Sequence, residues 1–130
     1  MTIEEAIYAY ATASPLPVSA LGTRWYNEEA PQQANVPHCV YQRVSPVPLM
    51  TQSGDPTLMK RYFQFSFVSG SQSAAKSYAD AFRRAVNGYV GTWGTVAIKG
   101  VMWAGEAVLK LEALNQWQVS QTYGIWYVEE

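Results

Sequence analysis

The sequence has one cysteine and one histidine in 130 residues, and it has no long apolar run. Cys39 alone cannot close an internal disulfide, and with His38 as the single histidine no Cys- or His-rich metal site can assemble. The expectation is a chain that folds in a reducing compartment with no metal and no other cofactor. No stretch approaches the roughly 18 apolar residues that a membrane-crossing helix needs. The opening Met-Thr-Ile-Glu-Glu has no basic region, and its apolar positions alternate with polar ones, unlike a secretory leader. No membrane partner is expected. An excess of one charge is lacking too: nine Lys and Arg against ten Asp and Glu leave a formal net charge of -1. Such a chain projects no strong field toward a polyanion, which argues against autonomous nucleic-acid binding.

Catalytic side chains are equally sparse. His38 and Cys39 are adjacent in what reads as a strand, where neighbouring side chains point to opposite faces, so they cannot form a dyad by themselves. Gly91-Thr-Trp-Gly94 lacks both the Lys-Ser/Thr of a phosphate-binding loop and the dinucleotide fingerprint, and reads as a turn. Glu28-Glu29 and Glu129-Glu130 read as solvated carboxylates, and Lys60-Arg61 and Arg83-Arg84, taken alone, as wet surface. No catalytic residue and no metal ligand is expected.

What the chain has is aromatic side chains: five Trp, nine Tyr and four Phe, with 48% hydrophobic and only 15% charged residues. A disordered chain needs the opposite balance, and a chain of this size can bury most of its apolar surface in one core, so residues 1–130 read as a single domain. The surplus of Trp and Tyr, which combine a large apolar body with a polar handle, is a first sign of partner surfaces.

Thr2-Ile-Glu-Glu5 fits a capping box. Ile3, Ala6, Ile7, Tyr10 and Ala11 then recur at helical period until Pro15 and Pro17 end the helix. Residues 20–37 form a polar, punctuated loop with a brief strand at Arg24, Trp25 and Tyr26. A strand follows at His38–Val44. Residues 45–57 contain three prolines and the pair Leu49 and Met50, too long for a tight hairpin, and they read either as a loop with chance apolar residues or as an arm that docks Leu49 and Met50 on a neighbour, the prolines favouring the extended arm. Leu58–Ser69 alternates Phe63, Phe65 and Phe67 against Tyr62, Gln64 and Ser66, the pattern of a half-buried strand. Ser71 or Ser73 caps a second helix with the stripe Ala75, Tyr78, Ala79, Phe82, Ala85 and Val86, in which Asp80 and Arg84 are spaced to pair. Asn87-Gly88 stops it. Residues 95–103 read as a strand, 106–114 as strand or irregular, and 116–128 as a strand with Trp117, Val119, Tyr123, Ile125 and Tyr127 on one face and Gln118, Ser120, Thr122 and Trp126 on the other. The economical fold is α+β: a mostly antiparallel sheet of about four or five strands with two helices packed on it.

In this order and spacing, the signals resemble the tail-terminator (tail-completion, head-to-tail joining) proteins of long-tailed, siphovirus-type bacteriophages and prophages. The resemblance rests on the acidic N-terminal helix, Arg24-Trp-Tyr26, Ala30-Pro31-Gln32 and Val36-Pro37-His-Cys-Val-Tyr-Gln-Arg43. It continues through the aromatic strand Tyr62–Val68, Ser77-Tyr-Ala-Asp-Ala-Phe-Arg83, Gly91-Thr-Trp-Gly94 and Tyr123-Gly-Ile-Trp-Tyr127. It covers nearly the whole chain and departs at 104–116, where the family commonly has a polar hairpin and this chain has Ala107-Val-Leu-Lys-Leu-Glu-Ala-Leu114. The resemblance implies a non-enzymatic virion protein at the head-tail junction, assembled in the bacterial host cytoplasm. It would form a ring, expected to be hexameric, that ends the tail tube and joins it to the connector or stopper protein of the head, with DNA passing through the lumen and no sequence-specific grip. On that footing Trp25, Leu49, Met50 and Trp126 are the expected subunit or tube contacts, and Lys60, Arg61 and Arg84 the expected lumen-facing basic residues. The rival readings are another neck or tail component, such as a stopper or a tube subunit, and a small ligand-binding or hydrolase domain built around His38.

Overall fold

Thr2 opens the first helix as its spacing predicts. Its hydroxyl accepts from the Glu5 N–H at 3.1 Å while the Glu5 carboxylate accepts from the Thr2 N–H at 3.0 Å. That reciprocal bonding holds the Glu5 carboxyl below its ordinary value. Helix α1 then runs Ile3–Thr12 and buries Ile3, Ala6, Ile7 and Ala11. The computed structural model describes residues 2–13, 18, 21–30, 36–44, 49–50, 58–112 and 115–128. The second helix, α2 (Gln72–Val86), is capped by the Ser71 hydroxyl, which accepts from the Ala74 N–H at 3.2 Å. It buries Ala75, Ala79, Phe82 and Val86 and is followed by Gly88 at φ +81°, a left-handed geometry that glycine adopts without steric cost. Asp80 pairs with Lys76 at 3.4 Å, rather than with the expected Arg84.

Seven strands make one sheet: β1 (Trp25–Asn27), β2 (His38–Arg43), β3 (Leu49–Met50), β4 (Leu58–Ser69), β5 (Gly91–Trp93), β6 (Val96–Leu111) and β7 (Gln116–Val128). Their order is β1-β2-β4-β7-β6-β5, with β3 paired to β4. The β1–β2 pair is parallel and every other pair antiparallel. The sheet is therefore mixed and larger than the four or five strands expected. The strands that escape sequence reading have two or three residues, too few to show a period of two. The ambiguous 106–114 stretch continues β6 through Leu111, where pairing with β7 outweighs its helix-favouring composition. Residues 113 and 114 lie outside the described residues. Since β7 occupies one edge of β4 along its whole length, β3 must lie on the same edge as β2. Leu49 and Met50 are thus paired through their backbone to Lys60 and Met59 of their own chain; the rest of the expected arm, 45–48 and 51–57, lies outside the described residues.

Both helices cover one face of the sheet. Phe82 of α2 sits among four rings at centroid distances of 4.7 Å (Phe65), 5.4 Å (Trp25), 5.5 Å (Phe67) and 5.6 Å (Tyr123), spacings at which aromatic pairs attract beyond simple burial. Tyr10 of α1 stacks on Trp93 at 4.9 Å. The core is closed on its polar side by a hydrogen-bonded chain. Lys76 donates to Glu106, Gln121 donates to the other Glu106 oxygen at 2.8 Å, and the Tyr123 hydroxyl donates to Gln121 at 2.6 Å. Gln121 is fully buried, so this chain is what lets an amide sit under α2. Burial pushes the Glu106 carboxyl up, but the hydrogen bonds from Lys76 and Gln121 together outweigh it and leave it below the usual 4.5.

Two outcomes follow from this packing. Phe82→Ala should lose about 3–5 kcal/mol of unfolding free energy, from lost burial plus the cavity left among four rings; a loss under about 1 kcal/mol in urea titration would contradict the arrangement. A carboxylate with a depressed folded-state pKa stabilises above its unfolded value and ceases to do so as pH falls through the folded one. The stability advantage of the native chain over Glu106→Gln should therefore be complete at neutral pH and shrink below about pH 4.5, as measured by denaturant midpoints across that range.

Candidate functional site

The antiparallel registers assign every strand residue to a face, because cross-strand partners project to the same side. Phe63, Phe65, Phe67, Tyr123 and Ile125 lie under the helices. Neither described helix lies on the opposite face. Its rows pair Lys60 with Trp126, Tyr62 with Gly124, Gln64 with Thr122 and Ser66 with Ser120, with Gln42 and Val40 of β2 continuing the last two. Glu106 is the one acidic residue in the described strands, and its partner Gln121 places it on the helix side. The helix-free face therefore carries no carboxylate among its described strand residues.

Its polar groups are neutral and bonded to one another. Gln42 donates to Gln64 at 3.1 Å, the hydroxyls of Ser66 and Ser120 are 3.0 Å apart, and Gln118 donates to Ser120 at 3.0 Å. Lys60 provides positive charge, and its ammonium lies 4.3 Å from the Trp126 ring centroid and 4.8 Å from that of Tyr62. Gly124 leaves space for this stack, since a Cβ there would stand 3.3 Å from both Lys60 Cε and Tyr62 Cε1. A lysine held between two rings is partly occupied, which weakens its pull on a passing anion. Chemically the face is a hydroxyl- and amide-rich wall with diluted positive charge, bordered along β6 by exposed Met102 and Leu109, whose partners Gly124 and Gln118 put them on the same side.

The expected site residues fall into several environments. Trp126 is half-buried on this face, as its strand pattern suggested, and Lys60 stacks on it. Trp25 is a correction: its pairing with Cys39 turns the ring under the helices, where it is 2% exposed against Phe67 and Phe82. Its ring packs in the subunit's own core. Arg61 is a second correction. It follows Lys60 in the strand and so faces the other way, buried at 8% exposure with its Nε donating to the Tyr127 hydroxyl at 2.6 Å. Arg84 is exposed, but on α2, so Lys60 and Arg84 lie on opposite sides of the sheet. For Leu49 and Met50 the described geometry is the backbone pairing alone.

The titratable residues singled out in the sequence are dispersed among the described residues. His38 is buried with its ring 5.8 Å from that of Tyr26. Cys39 faces the other way, fully buried, and burial pushes its thiol well up. The titratable cluster of Lys76, Glu106 and Tyr123 is consumed in its own hydrogen bonds, and burial raises the Tyr123 hydroxyl far above its usual range. No group of three His, Cys, Asp or Glu residues suited to a metal occurs among the described residues.

Sequence reasoning missed the exposed apolar residues at the two ends of the sheet. Val90, Met102, Val108 and Leu109 follow β5 and β6 at one edge, whereas Tyr8, Val36 and Val44 lie at the α1, β1 and β2 end. That second end also holds an open groove of about 970 Å³ lined by Tyr8, Tyr26 and Tyr41 together with Glu4, Glu5 and Glu29. The available signal was the unusual apolar run Ala107–Leu114, whose alternation puts Val108 and Leu109 on opposite faces of a projecting hairpin.

No protein-family model matches the sequence, and no curated protein matches it either. Among solved structures the fold is similar to that of a chain in a structure described as the virion of the native gene transfer agent (GTA) particle. The TM-score is 0.70 at 15% sequence identity, and the match covers 97% of this chain and 94% of that one. The two chains share their fold from end to end.

Proposed function

We propose that this chain is a non-enzymatic structural subunit of a phage-type virion, forming a ring, expected to be hexameric, that ends the tail tube and joins it to the head. The observation that carries this reading is the end-to-end fold match to a chain of a gene transfer agent virion. Two features of the subunit support it. The helix-free face, with no strand carboxylate and one stacked lysine, suits a lumen wall past which DNA moves without being gripped, since tight binding needs several phosphate-neutralising cations in register. The exposed apolar residues divide between two ends of the sheet, and a ring that closes by rotation needs two different patches on every subunit. The proposed partners are further copies of itself, the tube protein and the connector or stopper. The proposed location is the head-tail junction.

A second reading, a tube subunit, is favoured by the open edge that β6 presents beyond its pairing with β5. The two readings differ in stoichiometry. Native mass spectrometry with negative-stain imaging should find closed rings of one size; filaments that lengthen with concentration would replace the terminator reading with the tube reading. Val108 and Leu109 are 45% and 55% exposed, so Val108→Asp with Leu109→Asp should leave the circular dichroism spectrum and the melting temperature near those of the native chain while abolishing rings. Rings that persist in that variant would remove the hairpin from the interface.

A further inference from the structure

A cavity of about 480 Å³ opens beside the first turn of α1, lined by Thr2, Glu4, Glu5, Arg43, Arg61 and Tyr127 among others. Arg43 is matched there by Glu4, and the Glu5 carboxylate is engaged by the Thr2 N–H. Arg61 is different. With one nitrogen on Tyr127, its Nη1 is buried with no acceptor, and no acidic side chain among the described residues lies within ion-pair distance of it. A buried guanidinium nitrogen without an acceptor or a close ion pair is unfavourable unless something completes it. The N-terminal end of α1 adds its own positive dipole to the same cavity.

The chemistry selects the missing group. Glu4 and Glu5 already line the cavity, so a doubly charged phosphate would be repelled more strongly than a singly charged carboxylate, and what Arg61 lacks is an acceptor for its buried Nη1. A planar carboxylate also fits the fork of a guanidinium. We propose that this cavity is a carboxylate-binding site in which Arg61 receives an acidic side chain, supplied by a neighbouring chain or by Glu129 or Glu130, which follow the cavity-lining Val128. The site does not depend on the ring reading, because an unmatched buried charge needs completion in any assembly.

Acetate is the probe, compared with chloride at equal ionic strength on the full-length protein. The melting temperature should rise by several degrees in acetate, and the rise should vanish in Arg61→Gln while persisting in Arg84→Gln. If the chain's own glutamates fill the site, the rise will be absent from the native protein and present in Glu129→Gln with Glu130→Gln. If a neighbouring copy fills it, the rise will be present in dilute protein and fade as concentration increases. Should Arg61→Gln not fold, the Nε–H signal of Arg61 in nitrogen-labelled protein carries the test: it must move with acetate and stay fixed with chloride. Absence of an acetate-specific response in both the native chain and the double glutamine variant, in dilute solution, overturns the proposal.

Discussion

The pairing of β4 with β7 is the constraint on which the rest of the subunit depends. Leu58–Ser69 lies antiparallel to Trp117–Val128 without a break in register. Because side chains alternate faces, a slip of one residue would move Phe63, Phe65 and Phe67 out from under the helices and turn Tyr62, Gln64 and Ser66 inward. Burial of three phenylalanines, two of them against Phe82, opposes that slip, and so does the Gln121–Glu106–Lys76 chain, which connects only if Gln121 faces α2. One register thus sets both faces at once. The packed side is aromatic and holds the one carboxylate of the described strands, and the bare side of β2, β4 and β7 is left with hydroxyls, amides, Lys60 and its stacked rings.

Burial and charge are handled differently on the two sides. Under the helices, one set of polar groups is tied into a chain, Tyr123 to Gln121 to Glu106 to Lys76, while the indole nitrogens of Trp25 and Trp93 and the Nη1 of Arg61 are buried without a partner. On the bare side the polar groups pair across strands, Gln42 with Gln64 and Ser66 with Ser120. A self-satisfied polar surface gains little by exchanging its bonds for those of a partner, whereas exposed Val108, Leu109 and Val90 gain by leaving water. The physical division of labour is therefore between the bare face of β2, β4 and β7, which resists adhesion, and the apolar residues along β6 and at the sheet ends, which favour it.

The parts of this fold legible in the sequence are those set by local spacing. Thr2 and Glu5 lie three apart and form their capping box; Asn87-Gly88 ends α2; the phenylalanines of β4 alternate and are buried. What escaped depends on distant partners. Trp25 lies in a polar stretch and looked like a surface ring, but the parallel pairing of β1 with β2 carries it into the core, and no local pattern reports a parallel neighbour. Arg61 looked equivalent to Lys60 because both are basic and adjacent, yet adjacency in a strand means opposite faces, so period-two reasoning applied to that pair would have separated them. The hairpin at 106–111 was ambiguous because its residues favour helix, and only pairing with β7 decides for strand.

The corrections to Trp25 and Arg61 sharpen the functional reading. With Arg61 turned inward and Arg84 on the far side of the sheet, Lys60 is the one expected lumen residue left on the bare face, and it is stacked against Tyr62 and Trp126. Repeated around a ring, one such residue per subunit would set a single sparse circle of cations. Affinity for a duplex rises steeply with the number of phosphates neutralised together, so a sparse circle of stacked lysines with no carboxylates beside it would neither hold DNA nor repel it strongly. A wall for a polymer in transit needs that intermediate condition, and it explains how a chain with a near-neutral overall charge can serve one.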